Sequence, residues 1–355
     1  MRIEVHDGVT GFDTLKEEWG ALLPRCPKPT IFLTPEWQRA WWETFGMGRE
    51  LHLLAIRDED GKLTAVAPLF RQQTVVDESP WPTISIERPA LPAKGQKMWT
   101  VHFVGGTEVS DYLDLIVDCE RVDQACAAMM DYLSGEQWEI LDLHNIPGDS
   151  PTIEALISEA RKRGYEFSVA REDVCPFIDL PPTWEQYLAA LTKKQRHELR
   201  RKRRKAVREA LVDWDLVRDS SDCEANLAVF FDLHIRSDPD KADFLDAQMQ
   251  DFFRRVATFA LQHGWLWLAF IHINGQPDAS ILCFDYNHEI LVYNSGYDPH
   301  TYPMLSSGMV LMGYLIQRAI ETGHRRFDFM QGGERYKYDF GAKDAEVKRL
   351  CIRRP

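Results

Sequence analysis

The sequence predicts an α/β fold, of the α+β mixed-sheet kind, built twice over. Three observations carry that prediction. Two segments, LHLLAIRDEDGKLTAVAPLF at 51–70 and LWLAFIHINGQPDASILCF at 266–284, each read as strand, turn, strand, and they lie about 215 residues apart. Each is followed by the same elements: a strand (Tyr112–Val117, then Ile290–Tyr297), a helix (121–134, then 307–322) and a strand carrying LDL or FDF (Ile140–Leu143, then Phe327–Met330). Each is also preceded by helices. At roughly 150 residues per domain, 355 residues hold two such units. The boundary is expected near 170–182, giving units 1–172 and 173–355.

Along the chain, helices are expected at 12–23 and 35–45. Pro35 opens the second, which carries Trp37, Trp41 and Trp42; these read as core or interdomain packing, although indole faces also stack on sugars. Pro80, Pro82, Pro89 and Pro92 make 77–98 an irregular surface excursion. A helix over 183–208 starts after Pro181-Pro182, with Thr183 and Gln186 at capping-box spacing and Trp184, Tyr187, Leu188 and Leu191 as its apolar stripe. Two further helical segments are expected between 222 and 263. Asn274-Gly275 is a hairpin turn signal, and Trp265 and Trp267 alternate on one strand face, which reads as core. Ser306 or Ser307 can cap the helix at 307–322, and Gly323 ends it.

The composition is that of an ordinary globular chain, 45% apolar and 27% charged. With 42 Lys and Arg against 55 Asp and Glu, the net charge of −13 argues against a general nucleic-acid coat. The acidity is uneven. Residues 193–208, KKQRHELRRKRRKAVR, hold ten basic residues and one Glu, leaving 32 basic against 54 acidic elsewhere. This run reads as a solvated helix face or as a site for an anionic partner: a nucleotide-linked acceptor, the 3′-phosphate of a coenzyme, tRNA or an anionic membrane. No apolar run reaches the ~20 residues of a transmembrane helix. Seven scattered Cys without a CxxC pair, and an N-terminus without a signal-peptide pattern, lead us to expect a cytoplasmic protein with reduced thiols. No HxxxH or HExxH spacing occurs, so no metal site is expected.

Six pieces in order carry a family resemblance: FLTPEWQRAWWETFG at 32–46, AVAPL at 65–69, SDYLDLIV at 110–117, YLAALTKKQRHELRRKRRK at 187–205, YNSGYDP at 293–299 and FDFMQGGERYKYDFGA at 327–342. The sequence resembles a tandem duplication of the GNAT acyltransferase fold, and in detail the CelD-like, Fem-related branch. Tyr336-Lys337-x-x-Phe340-Gly341 also resembles the Lys-containing motif of Fem aminoacyl transferases. The resemblance implies an N-acyltransferase with acetyl-CoA or another acyl-CoA as co-substrate and no metal. The acceptor would be an amine on a small molecule or cell-envelope precursor: a sugar, nucleotide-sugar, amino acid or peptide. Two alternatives accompany it. One is Fem-like transfer from aminoacyl-tRNA, which the absence of a long two-helix arm disfavours. The other is a non-catalytic accessory role in polysaccharide assembly.

A site of this kind needs a backbone cradle for a diphosphate at the helix after the fourth strand, where unpaired N–H groups meet the anion. In the first half that loop, Asp118–Asp123, carries three carboxylates and no Gly. In the second half, His300–Gly308 carries none. The donor is therefore expected in the second half, on Ser306, Ser307 and Gly308 with Tyr297 nearby, and the first half is expected to be degenerate. Helix capping alone would also explain the two serines. The usual diphosphate loop of the family, Gln/Arg-x-x-Gly-x-Gly/Ala, is absent. Candidate acid–base groups are Asp298, Asp328 and Glu334, with Tyr336 to protonate the leaving thiolate and Lys337 to hold negative charge on oxygen or a phosphate. Asp298-Pro299 also reads as a turn, Asp328 as an ion-pair partner and Glu334 as a helix start. His234 and Arg236 could line an acceptor groove. No Cys or Ser lies in a nucleophile arrangement, and Cys283 is expected to be buried.

Overall fold

The computed structural model describes residues 1–75, 95, 97–106, 109–217 and 222–355. The excursion expected at 77–98 lies outside them, apart from Gly95, Lys97 and Met98. The chain divides into two compact units, Met1–Asp173 together with Glu346–Pro355, and Val174–Ala345.

The first unit contains β1 (Arg2–His6), α1 (Thr10–Leu22), α2 (Pro35–Phe45), β2 (Glu50–Arg57), β3 (Leu63–Val75), β4 (Lys97–Phe103), β5 (Ile116–Val117), α3 (Val122–Ser134), β6 (Ile140–Pro147) and α4 (Pro151–Arg163). It also holds the start of β7 (Glu166–Asp179) and most of the last strand, β13 (Lys343–Arg353). Its strands run in the order β1-β2-β3-β4-β6-β13. The β2–β3 turn closes because the Asp58 carboxylate accepts from the Asp60 and Lys62 amides. In α2, Thr34 caps the Trp37 amide and Pro35 sits at the first position, so Trp37, Ala40 and Trp41 point inward and are buried.

Two expectations change here. The strand that runs parallel to β6 is β4, with Val101 opposite Leu141. Of Tyr112–Val117 only Ile116–Val117 is strand, paired with β3. All six residues of that stretch are buried, Asp114 among them, so burial there has no period that would mark the conformation. The final residues also leave the second unit. β13 pairs antiparallel with β6, Leu350 opposite Leu143, and Leu350 and Ile352 complete the first core.

The second unit continues from β7 through α5 (Trp184–Ala190), α6 (Lys193–Glu209), β8 (Val212–Leu216), α7 (Cys223–Ser237), α8 (Pro239–Phe244), α9 (Ala247–Gln262), β9 (Leu266–Ile273), β10 (Gln276–Tyr286), β11 (Glu289–Tyr297), α10 (Ser307–Glu321), β12 (Arg326–Asp328) and α11 (Arg335–Asp339). Its strand order is β7-β12-β11-β10-β9-β8. The β9–β10 hairpin turns on Asn274 and Gly275, both at positive φ, as a two-residue turn that follows strand twist requires. Residues of β9, β10 and α10, among them Ile271, Ile281, Leu311 and Leu315, share one core.

The helix expected over 183–208 is two. Thr183 does cap the Gln186 amide, but the full capping box belongs to Thr192 and Gln195 and restarts the helix after Leu191. Between 222 and 263 there are three helices, because Asp238 and Asp246 each cap a new one.

Candidate active site

Strands β11 and β12 pair in parallel only over Glu289–Leu291 and Arg326–Asp328. β12 then ends, while β11 runs on to Tyr297 and keeps its pairing with β10. Leu282 faces Asn294 and Cys283 faces Val292, so Tyr293 is an extra residue, a bulge in β11 at the mouth of the opening.

The chain then turns into α10. Ser306 is left-handed, with φ 54°, and supplies no side-chain cap. Ser307 is buried and its hydroxyl is bonded to Asp278. Neither serine is therefore the cap that the sequence suggested: Ser306 makes no side-chain bond to the helix, and Ser307 is turned to the buried Asp278 carboxyl at the start of α10. A Cβ placed on Gly308 would meet nothing within 4 Å, so the space before the helix is open. Beside it runs a cleft of about 340 Å³ lined by Lys194, Gln195 and Lys202 of α6, Met309 of α10, and Arg335 and Asp339 of α11. Tyr297, at the end of β11, is exposed. An acyl-CoA fits this donor set: open amides for a diphosphate, flanking cations for a further phosphate, and a slot between parting strands for the thioester arm.

Sequence reasoning missed Asp278. It occupies the irregularity between Pro277 and Ala279 in β10, is almost wholly buried, and burial pushes its carboxyl above the usual range. Nothing in the sequence pattern singles it out.

The segment after β12 is organised by Lys337. Its ammonium is buried and donates to the carbonyls of Met330, Gln331 and Gly332 at 3.1, 2.6 and 2.8 Å, and it lies 2.9 Å from a Glu334 carboxylate oxygen. Asp328 is buried and accepts from the Met330 amide at 2.8 Å. The two residues thus hold successive parts of one loop. Glu334 is more than half exposed at that loop's end. Tyr336 packs against Phe329, and burial drives its hydroxyl well above the ordinary tyrosine range, so it stays protonated.

Asp298 holds the turn before α10. It accepts from the amides of His300 and Thr301 and from the Thr301 hydroxyl, and Arg236 lies 3.4 Å away. The His300 amide leads these contacts in keeping its carboxyl below the usual range, which makes it a poor base. His234 is buried, donates from Nδ1 to the Ser295 carbonyl at 3.0 Å, and is held neutral by burial, with a pKa lowered to about 4. Arg236 pairs with Asp232 and Asp298. Lys241, which the sequence reading did not single out, also reaches the Ser295 carbonyl, at 2.6 Å, and burial lowers its pKa.

Part of the basic helix is structural. Leu199 and Ala206 are buried, and a Cβ on Gly313 of α10 would sit 2.9 Å from Leu199. Arg203 lies over the Tyr314 ring at 4.4 Å and donates to Gln317. Lys205 donates to the Met304 carbonyl at 2.9 Å.

In the first unit Asp118 is paired with Arg25 at 3.0 Å. Asp142, in the place equivalent to Asp328, is bonded by Arg349 at 2.7 and 2.9 Å. His102, Asp142 and His144 offer donor atoms within 4.8 Å of one another, beside a cavity of about 150 Å³. Their spacing, i and i+2 on one strand with a third residue on its neighbour, is a pattern that a search for helical His motifs passes over. As arranged, Asp142, His144, Glu172 and Arg349 form an ion-pair network, while His102, held neutral by burial, bonds the Asp142 carbonyl. Burial opposes charge on His144, but hydrogen bonds to Asp142 and Glu172 outweigh it and raise its pKa to about 9, so both ring nitrogens are donors.

Cys283 is buried and desolvation pushes its thiol up, as expected of a residue without a nucleophilic role. Trp37 and Trp41 are core. Trp265 and Trp267 are only half-buried and line an open groove of about 690 Å³ with Asp285, Arg318 and His324, which corrects the core assignment.

The comparisons bear on the fold. The family profile of the acetyltransferase (GNAT) domain matches residues 193–338. The chain has a tandem GNAT fold. The crystal structure of FemX shares it at a TM-score of 0.60 and 10% identity, over 99% of this chain and 97% of that one. A conserved protein of unknown function from Bacteroides thetaiotaomicron does so at 0.59 and 13%, over 99% and 100%. A tandem GNAT protein from the clavulanic acid biosynthesis pathway, determined without AcCoA, matches at 0.50 and 12%, over 100% and 99%. At these identities the likeness is one of fold. Comparison with curated proteins found no match.

Proposed function

We propose that this protein is an N-acyltransferase that moves an acetyl or other acyl group from acyl-CoA to an amine by direct attack. One observation carries the reading: β11 outruns β12, bulges at Tyr293, and leads through the turn at 298–306 into a helix whose N-cap residue makes no side-chain bond and whose Gly308 faces open space. The acyl-CoA supplies the activated thioester. The chain supplies the rest. The α10 amides and Lys194, Lys202 and Arg335 hold the anionic tail. The freed edge of β11 stabilises negative charge developing on the thioester oxygen. Glu334, the one exposed carboxylate of the three candidates, takes the amine proton directly or through water, and protonated Tyr336 returns one to the sulfur. Lys337 and Asp328 fix the loop that presents Glu334, and Asp298 fixes the turn before α10. Of the two groove candidates, buried His234 holds the Ser295 carbonyl and Arg236 stands at the rim.

The order of sequence pieces favours the CelD-like, Fem-related branch and an acceptor amine on a small molecule or cell-envelope precursor, and the scattered, unpaired Cys favour a cytoplasmic location. The first unit serves as a degenerate partner, because its loop before α3 is acidic. Calorimetry with coenzyme A tests the donor: binding is expected, and folded protein without binding at millimolar ligand rejects it. With binding in hand, Glu334→Gln should lower kcat by about 10²- to 10⁴-fold.

Lys194, Lys202 and Arg335 outnumber Glu198 and Asp339 in the cleft beside α10, which supports a second reading, an aminoacyl-tRNA donor. It requires RNA binding that weakens steeply with salt and no response to coenzyme A.

A further inference from the structure

We infer that the outward face of α6, with the rim next to its C-terminal end, docks on an anionic lipid surface. The inference does not depend on which donor the protein uses. Lys193, His197, Arg200, Arg204 and Arg208 recur at helical spacing, four of them Lys or Arg, and all five are exposed. The opposite side of α6 is the one packed through Leu199 and Ala206, so these cations are the face left to solvent.

Large apolar side chains stand in the same place. Val207 is 59% exposed, Leu211 73% and Met304 72%. They are held together as one rim. Leu211 and Asn274 exchange hydrogen bonds, with Leu211 N donating to Asn274 Oδ1 at 3.0 Å and Asn274 N to the Leu211 carbonyl at 2.8 Å. Asn274 Nδ2 donates to the Tyr302 hydroxyl at 3.1 Å, and the Met304 carbonyl accepts from Lys205.

The carboxylates on the helix are already matched. Glu198 is paired with Arg201 at 2.9 Å, and Glu209 with Arg208 at 2.7 Å. An RNA would engage the cations and leave Val207, Leu211 and Met304 in water. A membrane of anionic lipid uses both, with headgroups on the arginines and the acyl boundary on the apolar side chains. No helix among the described residues is long and apolar enough to cross a membrane, so this contact would be peripheral.

The experiment is co-sedimentation of the full chain with vesicles of phosphatidylcholine alone or with about 30% phosphatidylglycerol, at low and high salt. Binding to the anionic vesicles is expected, at least tenfold weaker on phosphatidylcholine and at high salt. Arg200→Glu, Arg204→Glu and Arg208→Glu together should weaken it at least tenfold. Val207→Ser, Leu211→Ser and Met304→Ser together should weaken it about threefold or more, at unchanged thermal unfolding. Vesicle binding indifferent to phosphatidylglycerol, or untouched by either triple variant, would overturn the inference. So would tRNA binding lost in the arginine variant with no vesicle binding, which would assign the face to RNA.

Discussion

A Cβ on Gly296 would lie 2.3 Å from the backbone nitrogen of His234. Helix α7 is thus pressed against β11 where that strand has lost its β12 neighbour. His234 and Lys241 both donate to the carbonyl of Ser295, the residue before the glycine. Gly296→Ala should force α7 away and cost about 1–3 kcal/mol of stability, read as a lower urea midpoint. An unchanged midpoint would mean that the contact is slack.

Lys337→Met should leave three carbonyls and the Glu334 carboxylate without their cation. We expect a loss of about 1–3 kcal/mol, as for buried carbonyls left without a donor, with weaker catalysis as a consequence of the displaced loop. A variant that keeps its full stability but loses turnover would restore the direct chemical role that the motif suggested for this lysine.

Gly308→Asp separates fold from function. The site has room for the side chain, and an acid in the first turn complements the helix dipole, so thermal stability should hold or rise slightly. Coenzyme A affinity should fall at least tenfold, because the new charge opposes the diphosphate. Equal affinity in calorimetry would move the anion elsewhere.

His144 makes stability depend on alkaline pH. Its folded pKa of about 9 lies above the ordinary 6.5, so its contribution is complete below 6.5 and is lost as pH rises through 9. Allowing for its partial exposure, about 2 kcal/mol should disappear over that window. His144→Gln should be less stable at pH 6 and should flatten the profile between pH 6.5 and 9.5. A wild-type urea midpoint constant across that range would contradict the ion-pair network.

Periodicity, turn signals and internal similarity made the fold class readable before any coordinates. The second hairpin, β11, α10 and β12 fall within a residue or two of where the pattern puts them. Reading failed where those signals thin out. Tyr112–Val117 is buried at every position, so no alternation marks its conformation. Thr192–Gln195 restarts a helix in a stretch with no Gly or Pro to mark the break. The candidate residues were found by residue type and motif, and type does not reveal partners. Lys337 and Glu334 turned out to be bonded to each other, Asp298 to two amides, and Asp278 went unnoticed because a strand-start acid has no pattern of its own.

The sequence by itself determined two mixed α/β units and which of them lacks acids before its crossover helix, because periodicity and charge are local properties. Tertiary structure decided the rest. Whether β12 stops short of β11, whether an ammonium is free or enclosed by carbonyls, and which strand the final residues join all depend on contacts between groups distant in the chain. Burial and hydrogen-bond partners are set only when those groups meet, and they, more than residue identity, decide which side chains remain available for chemistry.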